Sequence, residues 1–306
     1  MKAAIIHAFG GPEVVTIGAV TPRIPQADEI VVRVEAVALN PLDLKIVAGY
    51  MQQVFPIELP YVPGTDFSGV VESVGAEASH LKAGDRVVGR TQPGAGGALA
   101  KQVVINAGSV LVMPEAMSFE QGAALPTAFG TASQALFDIG ALKQGETVLI
   151  HAAAGGVGSM AVQLAHAAGA RVIATGSVRN HELVRSLGAD QVIDYRTQDF
   201  SQLRDIDLVL DTIGADTLEK SWSVLGRGGR IATTVEFGIA ARDGHAGTSV
   251  FFADAVRFLP EAFRMFAQGR LQIVTDTIFK LDEARSALER LATGHARGKV
   301  IVRVGQ

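Results

Sequence analysis

The hydrophobic pattern changes character about a third of the way along the chain. Up to Pro114 the apolar residues fall into short runs rich in Val and Ile: Lys2–His7, Glu29–Ala38, Gly69–Val74, Arg86–Gly89 and Gln102–Ile105. Each is bounded by Gly, Pro or Asp, and such runs predict strands. From Ile30 to Val37 the pattern alternates, with Arg33 and Glu35 on one face, as in a strand buried on one side. Gly84-Asp85 ahead of Arg86-Val87-Val88 predicts a turn feeding a strand. The economical reading of this part is an irregular, mostly β domain.

Beyond Pro114 the texture is different. Met117–Gly140 alternates Ala-rich helical stretches with expected breaks at Pro126 and Gly130. A regular beat follows. A strand at Thr147–His151 leads through a glycine turn to a helix near Ser159–Ala168. A second strand, Arg171–Thr175, precedes a helix near Asn180–Leu187. Further strands are expected at Gln191–Asp194, Asp207–Asp211 and Arg230–Val235. Strands separated by helices of about ten residues predict a parallel, doubly wound sheet. The tail reads as an amphipathic helix, Leu281–Leu291, and a last strand, Lys299–Val304.

Composition narrows the function classes. With 306 residues, 48% of them hydrophobic and 19% charged, the chain can bury two cores. A net charge of −4 argues against a nucleic-acid partner. The absence of cysteine removes disulfides, a thiolate nucleophile, Cys-ligated zinc and iron–sulfur clusters. No apolar stretch approaches the ~18 residues of a membrane span, and MKAAIIHAFGGPE lacks a secretory h-region. A soluble, cytoplasmic protein without a membrane partner is the expectation. The seven histidines show no HxxxH or HExxH spacing, and His151 reads as a satisfied structural residue.

The chemistry-bearing motif follows the first strand of the regular beat. Thr147-Val148-Leu149-Ile150-His151 runs into Ala152-Ala153-Ala154-Gly155-Gly156-Val157-Gly158. Read as G-x-G-x-x-G, it places Ala153, Gly155 and Gly158 at the three glycine positions. A side chain is unwelcome at Gly155, where a pyrophosphate approaches the backbone, and at Gly158, where the helix must close on the strand. The helix N-terminus from about Val157, just after Gly156, offers unpaired N–H groups to phosphates. Strand, turn, helix and second strand in this order predict dinucleotide binding.

The second strand suggests which dinucleotide. NAD sites usually hold Asp or Glu about 20 residues past the glycines, to accept from the ribose hydroxyls. Here Thr175-Gly176-Ser177-Val178-Arg179-Asn180 has no carboxylate. Thr175, Ser177 and Arg179 are candidate cofactor contacts, and the Ser177 hydroxyl and the Arg179 guanidinium suit a 2′-phosphate, so NADP(H) is expected.

Five segments, taken in order, are similar to one family. They are Asn40-Pro41-Leu42-Asp43, Pro63-Gly64-Thr65-Asp66-Phe67-Ser68-Gly69-Val70-Val71, Gly84-Asp85-Arg86-Val87, the Ala152–Gly158 turn and His295-Ala296-Arg297-Gly298-Lys299-Val300. The chain resembles the quinone oxidoreductases, zeta-crystallin-like and zinc-independent members of the medium-chain dehydrogenases/reductases. The resemblance implies an α/β protein, with a Rossmann doubly wound parallel sheet plus a mostly β GroES-like domain. The GroES-like catalytic domain would span 1–115 and be completed by 270–306, and the Rossmann domain would span 116–269.

By motif matching, the zinc-ligand positions of the family's metal-dependent relatives fall on Asn40, Thr65 and Thr127, three neutral oxygen donors that suit zinc poorly. The relay hydroxyl of those relatives falls on Leu42, which has no proton to relay. The resemblance also implies that Thr131 touches the nicotinamide and that Tyr195 flanks the adenosine half. It sets Phe237 near the nicotinamide end and puts Phe251 in a segment that contacts the cofactor near a dimer interface.

The function expected is hydride transfer from NADPH to quinones or α,β-unsaturated carbonyls without a metal. Conjugation spreads the developing charge onto an oxygen that one or two hydrogen-bond donors can stabilise. Asn40 is the first candidate donor, with Thr65 or Thr127 nearby and Tyr50 as a further donor or aromatic wall. Asp43 and Asp66 read as structural caps of turns, and Thr127 after Pro126 suits a helix start. A small-molecule substrate and a homodimer are the expected partners. The alternative is a catalytically weak NADPH-binding sensor or structural protein.

Overall fold

The structure, a computed structural model, describes residues 1–305. The chain forms two compact units: Met1–Thr127 with Asp254–Phe263 and Thr275 onward, and Ala128–Ala253 with Arg264–Val274.

The first unit opens with a two-stranded pair, β1 (Lys2–Ile6) and β2 (Val15–Ala19). Then follow β3 (Glu29–Ala38), α1 (Pro41–Val47), β4 (Asp66–Val74), β5 (Arg86–Arg90), β6 (Gln102–Asn106), β7 (Val110–Val112) and the short α2 (Phe119–Ala123). The alternation expected in β3 is present. Ile30, Val32 and Val34 are buried, while Arg33 is exposed and pairs with Glu35. A core of Val32, Val34, Val37, Phe67, Val87 and Leu99 fills the unit.

A helix α3 (Pro126–Ser133) begins at a proline, which suits the first helical position because its missing N–H has no partner there anyway. The break expected at Gly130 does not occur, and the helix runs on into a π-helical turn at Gln134–Ile139. A Cβ at Gly130 would lie 2.2 Å from the Phe252 ring, so this glycine admits an aromatic side chain instead of ending a helix.

The second unit is built on β8 (Thr147–Ile150), α4 (Gly156–Ala167), β9 (Arg171–Gly176), α5 (His181–Ser186), β10 (Gln191–Asp194), β11 (Ile206–Asp211), α6 (Ala215–Trp222), β12 (Leu225–Thr233) and β13 (Ala246–Ser249). These strands form one parallel sheet in the order β10-β9-β8-β11-β12-β13. In sequence rank that is 3-2-1-4-5-6, the doubly wound order with a switch point beside β8. Val148, Leu149 and Ile150 are all fully buried, as expected of a central parallel strand. The Phe251, Phe252, Phe258, Phe263 and Phe266 group is half-buried or exposed throughout.

After α7 (Leu259–Ala267) the chain returns to the first unit as β14 (Thr275–Lys280), α8 (Ala284–Ala292) and β15 (Lys299–Arg303). The main sheet there runs β14-β15-β3-β4-β5-β7, with β6 also on β3. Its register gathers one set of side chains. Asp66 opposes both Ala38 at the end of β3 and Arg90 at the end of β5, and Ile301 of β15 also opposes Ala38. Asn40, Asp66, Arg90 and Lys299 therefore meet at one end of the sheet.

Candidate functional site

In the second unit the cofactor candidates cluster beyond the carboxyl ends of the parallel strands. That is where open α/β sheets bind ligands. Ala152 follows β8 in the left-handed region, φ +49°, and turns the chain towards α4. Gly155 precedes the first turn of α4 with no side-chain cap, so the leading N–H groups of Gly156, Val157 and Gly158 have no intrahelical acceptor. A Cβ on Gly158 would lie 2.4 Å from the Ala152 carbonyl oxygen and 2.8 Å from Ala153 Cα, so the close approach of helix and turn requires glycine. At Gly155 the Ala152 oxygen at 3.2 Å is the one atom within 4 Å. That contact is tight but nothing else crowds the side, and the turn fits a dinucleotide pyrophosphate.

The turn is tied to β9. Ala153 N–H donates to the Thr175 carbonyl at 3.0 Å, and Ala152 N–H donates to Thr175 Oγ1 at 3.3 Å. Beyond β9, Ser177 is buried, Arg179 is exposed, and no carboxylate stands between Ser177 and Asn180. Asn180 Nδ2 donates to Ser177 Oγ at 3.2 Å, which leaves the Ser177 hydroxyl hydrogen for another acceptor. The donor set fits a 2′-phosphate. Thr131 is buried on α3. Tyr195 follows β10, half-exposed, with the Arg196 guanidinium 5.7 Å from its ring centroid. Phe237 lies beyond β12 and is 58% exposed, and Phe251 lies beyond β13, half-exposed.

In the first unit Asn40, Thr127, Arg90 and Lys299 form a cluster around Asp66, which is fully enclosed. Asp66 Oδ2 accepts from Asn40 Nδ2 at 3.0 Å and from Thr127 N–H at 3.2 Å, and Oδ1 accepts from the Thr127 hydroxyl at 2.7 Å. Arg90 donates to Thr127 Oγ1 at 3.0 Å and stands 3.9 Å from the Asp66 carboxylate. Lys299, only 4% exposed, donates to Asn40 Oδ1 and lies 3.7 Å from Asp66 Oδ2. Burial holds the Lys299 ammonium below its ordinary value, while Asp66 and Asp43 act to retain its proton.

Asp43 occupies the third position of α1 and accepts the Asn40 backbone N–H on Oδ2 at 2.7 Å, the capping role expected of it. It is 1% exposed, and burial pushes its carboxyl up to about 7 against the opposing pull of Asn40, Lys299 and Arg90. Its Oδ1 and the Thr65 hydroxyl are buried without a partner. Tyr50 stands apart, 81% exposed in the turn after α1.

The sequence reading passed over Arg90 and used Lys299 only as a marker of resemblance. The available signal was a lysine leading the apolar strand Val300-Ile301-Val302, with no acidic neighbour in the chain.

Two family models match: one described as an alcohol dehydrogenase GroES-like domain over residues 26–115, the other as a zinc-binding dehydrogenase over 187–302. The residues here do not suit zinc. Asn40 Oδ1 already accepts from an ammonium, Thr127 is held between Arg90 and Asp66, and the two nearby cations would repel a third. Among the described residues no three His, Asp or Glu are grouped to hold a metal.

The chain is 32% identical to a chloroplastic quinone-oxidoreductase homolog of Spinacia oleracea, over 99% of both sequences. It is 34% identical to a chloroplastic NADPH-dependent alkenal/one oxidoreductase of Arabidopsis thaliana, over 99% of this chain and 79% of the relative. The solved quinone oxidoreductase of Escherichia coli, complexed with NADPH, superposes with a TM-score of 0.89 at 31% identity, covering 99% of this chain and 100% of the other. A GroES-like unit, a 3-2-1-4-5-6 parallel sheet and relatives matched from end to end place this chain in the quinone oxidoreductase family of the medium-chain dehydrogenases/reductases.

Proposed function

We propose that the protein is an NADPH-dependent oxidoreductase that reduces quinones or α,β-unsaturated carbonyls without a metal. The observation that carries this reading is the Ala152–Gly158 turn. It meets a single backbone oxygen beside Gly155, closes tightly at Gly158, and is backed by the free N–H groups of α4. The acceptor class is supported by the names of the spinach and Arabidopsis relatives.

Bound NADPH supplies the hydride. The leading N–H groups of α4 bind the pyrophosphate, and Ser177 with Arg179 holds the 2′-phosphate by charge-assisted hydrogen bonds. Thr131, Tyr195, Phe237 and Phe251 complete the cofactor contacts in this proposal.

On the acceptor side, the protein must steady negative charge growing on a conjugated oxygen. Asn40 Nδ2 and the Thr127 hydroxyl already donate to Asp66, so their place is to orient the buried charges of Asp66, Lys299 and Arg90. Of the four acceptor-side candidates, Thr65, buried without a partner, and Tyr50, exposed in its turn, keep uncommitted hydrogens. Water supplies the final proton. The commitment of Asn40 and Thr127 also supports a second reading, an NADPH-binding sensor of low turnover. The family resemblance extends the proposal to a cytoplasmic homodimer. Among the described residues, no helix is long and apolar enough to cross a membrane.

Titrating NADPH and NADH against the wild type and Arg179→Ala tests the cofactor assignment. The variant is expected to lose about 1–3 kcal/mol of NADPH affinity and little for NADH. Equal weakening of both would refute the phosphate role. Stoichiometric zinc in the purified protein would refute the metal-free mechanism.

A further inference from the structure

His151 ends up neither in contact with solvent nor idle. It sits directly before the dinucleotide turn, 1% exposed, with an edge-on contact to the Phe200 ring. Nδ1 lies 3.1 Å from Thr175 Oγ1, and Nε2 lies 3.0 Å from Ser221 Oγ. Donor accounting fixes every proton in this chain. The Ser221 hydroxyl donates its one hydrogen to the Thr217 carbonyl at 2.7 Å, so Ser221 Oγ must accept from His151, and Nε2 carries the proton. In a neutral ring Nδ1 is then an acceptor, and Thr175 donates to it. That leaves a Thr175 lone pair for Ala152 N–H, which is 3.3 Å away.

We infer that His151, as its neutral Nε2–H tautomer, is a positioning residue for the cofactor: by accepting from Thr175 it orients the hydroxyl that holds Ala152, the left-handed residue that starts the phosphate-binding turn. The inference rests on NADPH binding at that turn. Burial agrees with it, holding the imidazole down to about 4 in spite of Asp211. Thr175, expected from the sequence to touch the cofactor, then acts through the backbone of the turn. The far end of the chain anchors the ring to α6.

Nitrogen-15 NMR of the wild-type imidazoles reads the tautomer directly and needs no variant. A proton on Nε2 and a bare Nδ1 are expected; the Nδ1–H tautomer would overturn the inference. Two substitutions then separate the arms. His151→Asn keeps an acceptor where Nδ1 stood, and His151→Gln keeps a donor where Nε2 stood. NADPH dissociation constants are expected within about threefold of wild type for His151→Asn and weaker by about tenfold for His151→Gln. Equal weakening in both would overturn the positioning role and leave His151 a general support of the fold. A wild type that binds no NADPH would instead refute the functional proposal, with the tautomer still judged by the spectrum.

Discussion

Burial holds the Asp43 carboxyl near pH 7 although Asn40 donates its backbone N–H to it and two cations stand close by. In the unfolded chain the same carboxyl titrates near the ordinary Asp value of about 3.9. Between those two values the folded protein keeps a proton that the unfolded chain has released. Asp43 therefore contributes stability that is fully present below about pH 4 and is lost as pH rises towards 7, at up to about 1.4 kcal/mol per pH unit. Asp43→Asn keeps an acceptor for Asn40 N–H and cannot ionise. Urea unfolding at a series of pH values should show the variant gaining on wild type across that window. Parallel profiles would show that Asp43 does not titrate there. At this scale the sequence was informative where chemistry is local. Asp43 was read as the cap of a turn, and it caps the start of α1, a helix the sequence reading had not set there. Lys299 and Arg90 were illegible because their partners are distant in the chain and are brought together by the register of β3, β4, β5 and β15.

The β8–turn–α4 unit separates two reasons for glycine. At Gly158 a methyl would collide with the backbone of Ala152 and Ala153, so Gly158→Ala should lower stability by about 1–3 kcal/mol, read from thermal or urea unfolding. At Gly155 a Cβ would meet only the Ala152 carbonyl oxygen, tightly at 3.2 Å, so Gly155→Val should cost less stability than Gly158→Ala and abolish NADPH binding, because its methyls stand where the pyrophosphate belongs. Retained binding in Gly155→Val would overturn the turn assignment. Elements with strong periodicity, such as β3 and the β8–α4–β9 stretch, were readable within a few residues. The strand β13, Ala246-Gly247-Thr248-Ser249, has no apolar signature and owes its form to its ladder with β12. Gly130 misled for a tertiary reason, the Phe252 ring that occupies the missing side chain's place.

At the scale of the whole molecule, the change of texture after Pro114 and the strand–helix beat were enough to read a β domain followed by a doubly wound sheet. The finer division was not legible. The division of the chain falls within α3, between Thr127 and Ala128, and 254–263 belongs with the first unit. These are consequences of packing, and no composition shift marks them. The proposed function draws on both units, on the glycine turn of one and on the buried cluster of Asp66, Arg90 and Lys299 in the other. The most direct measurement is NADPH oxidation with a simple quinone, a bulky quinone, an alkenal and a plain aldehyde. Turnover with a quinone or the alkenal, and none with the aldehyde, is the result this account predicts. Turnover with the aldehyde alone, or tight NADPH binding with no turnover of any acceptor, would contradict it.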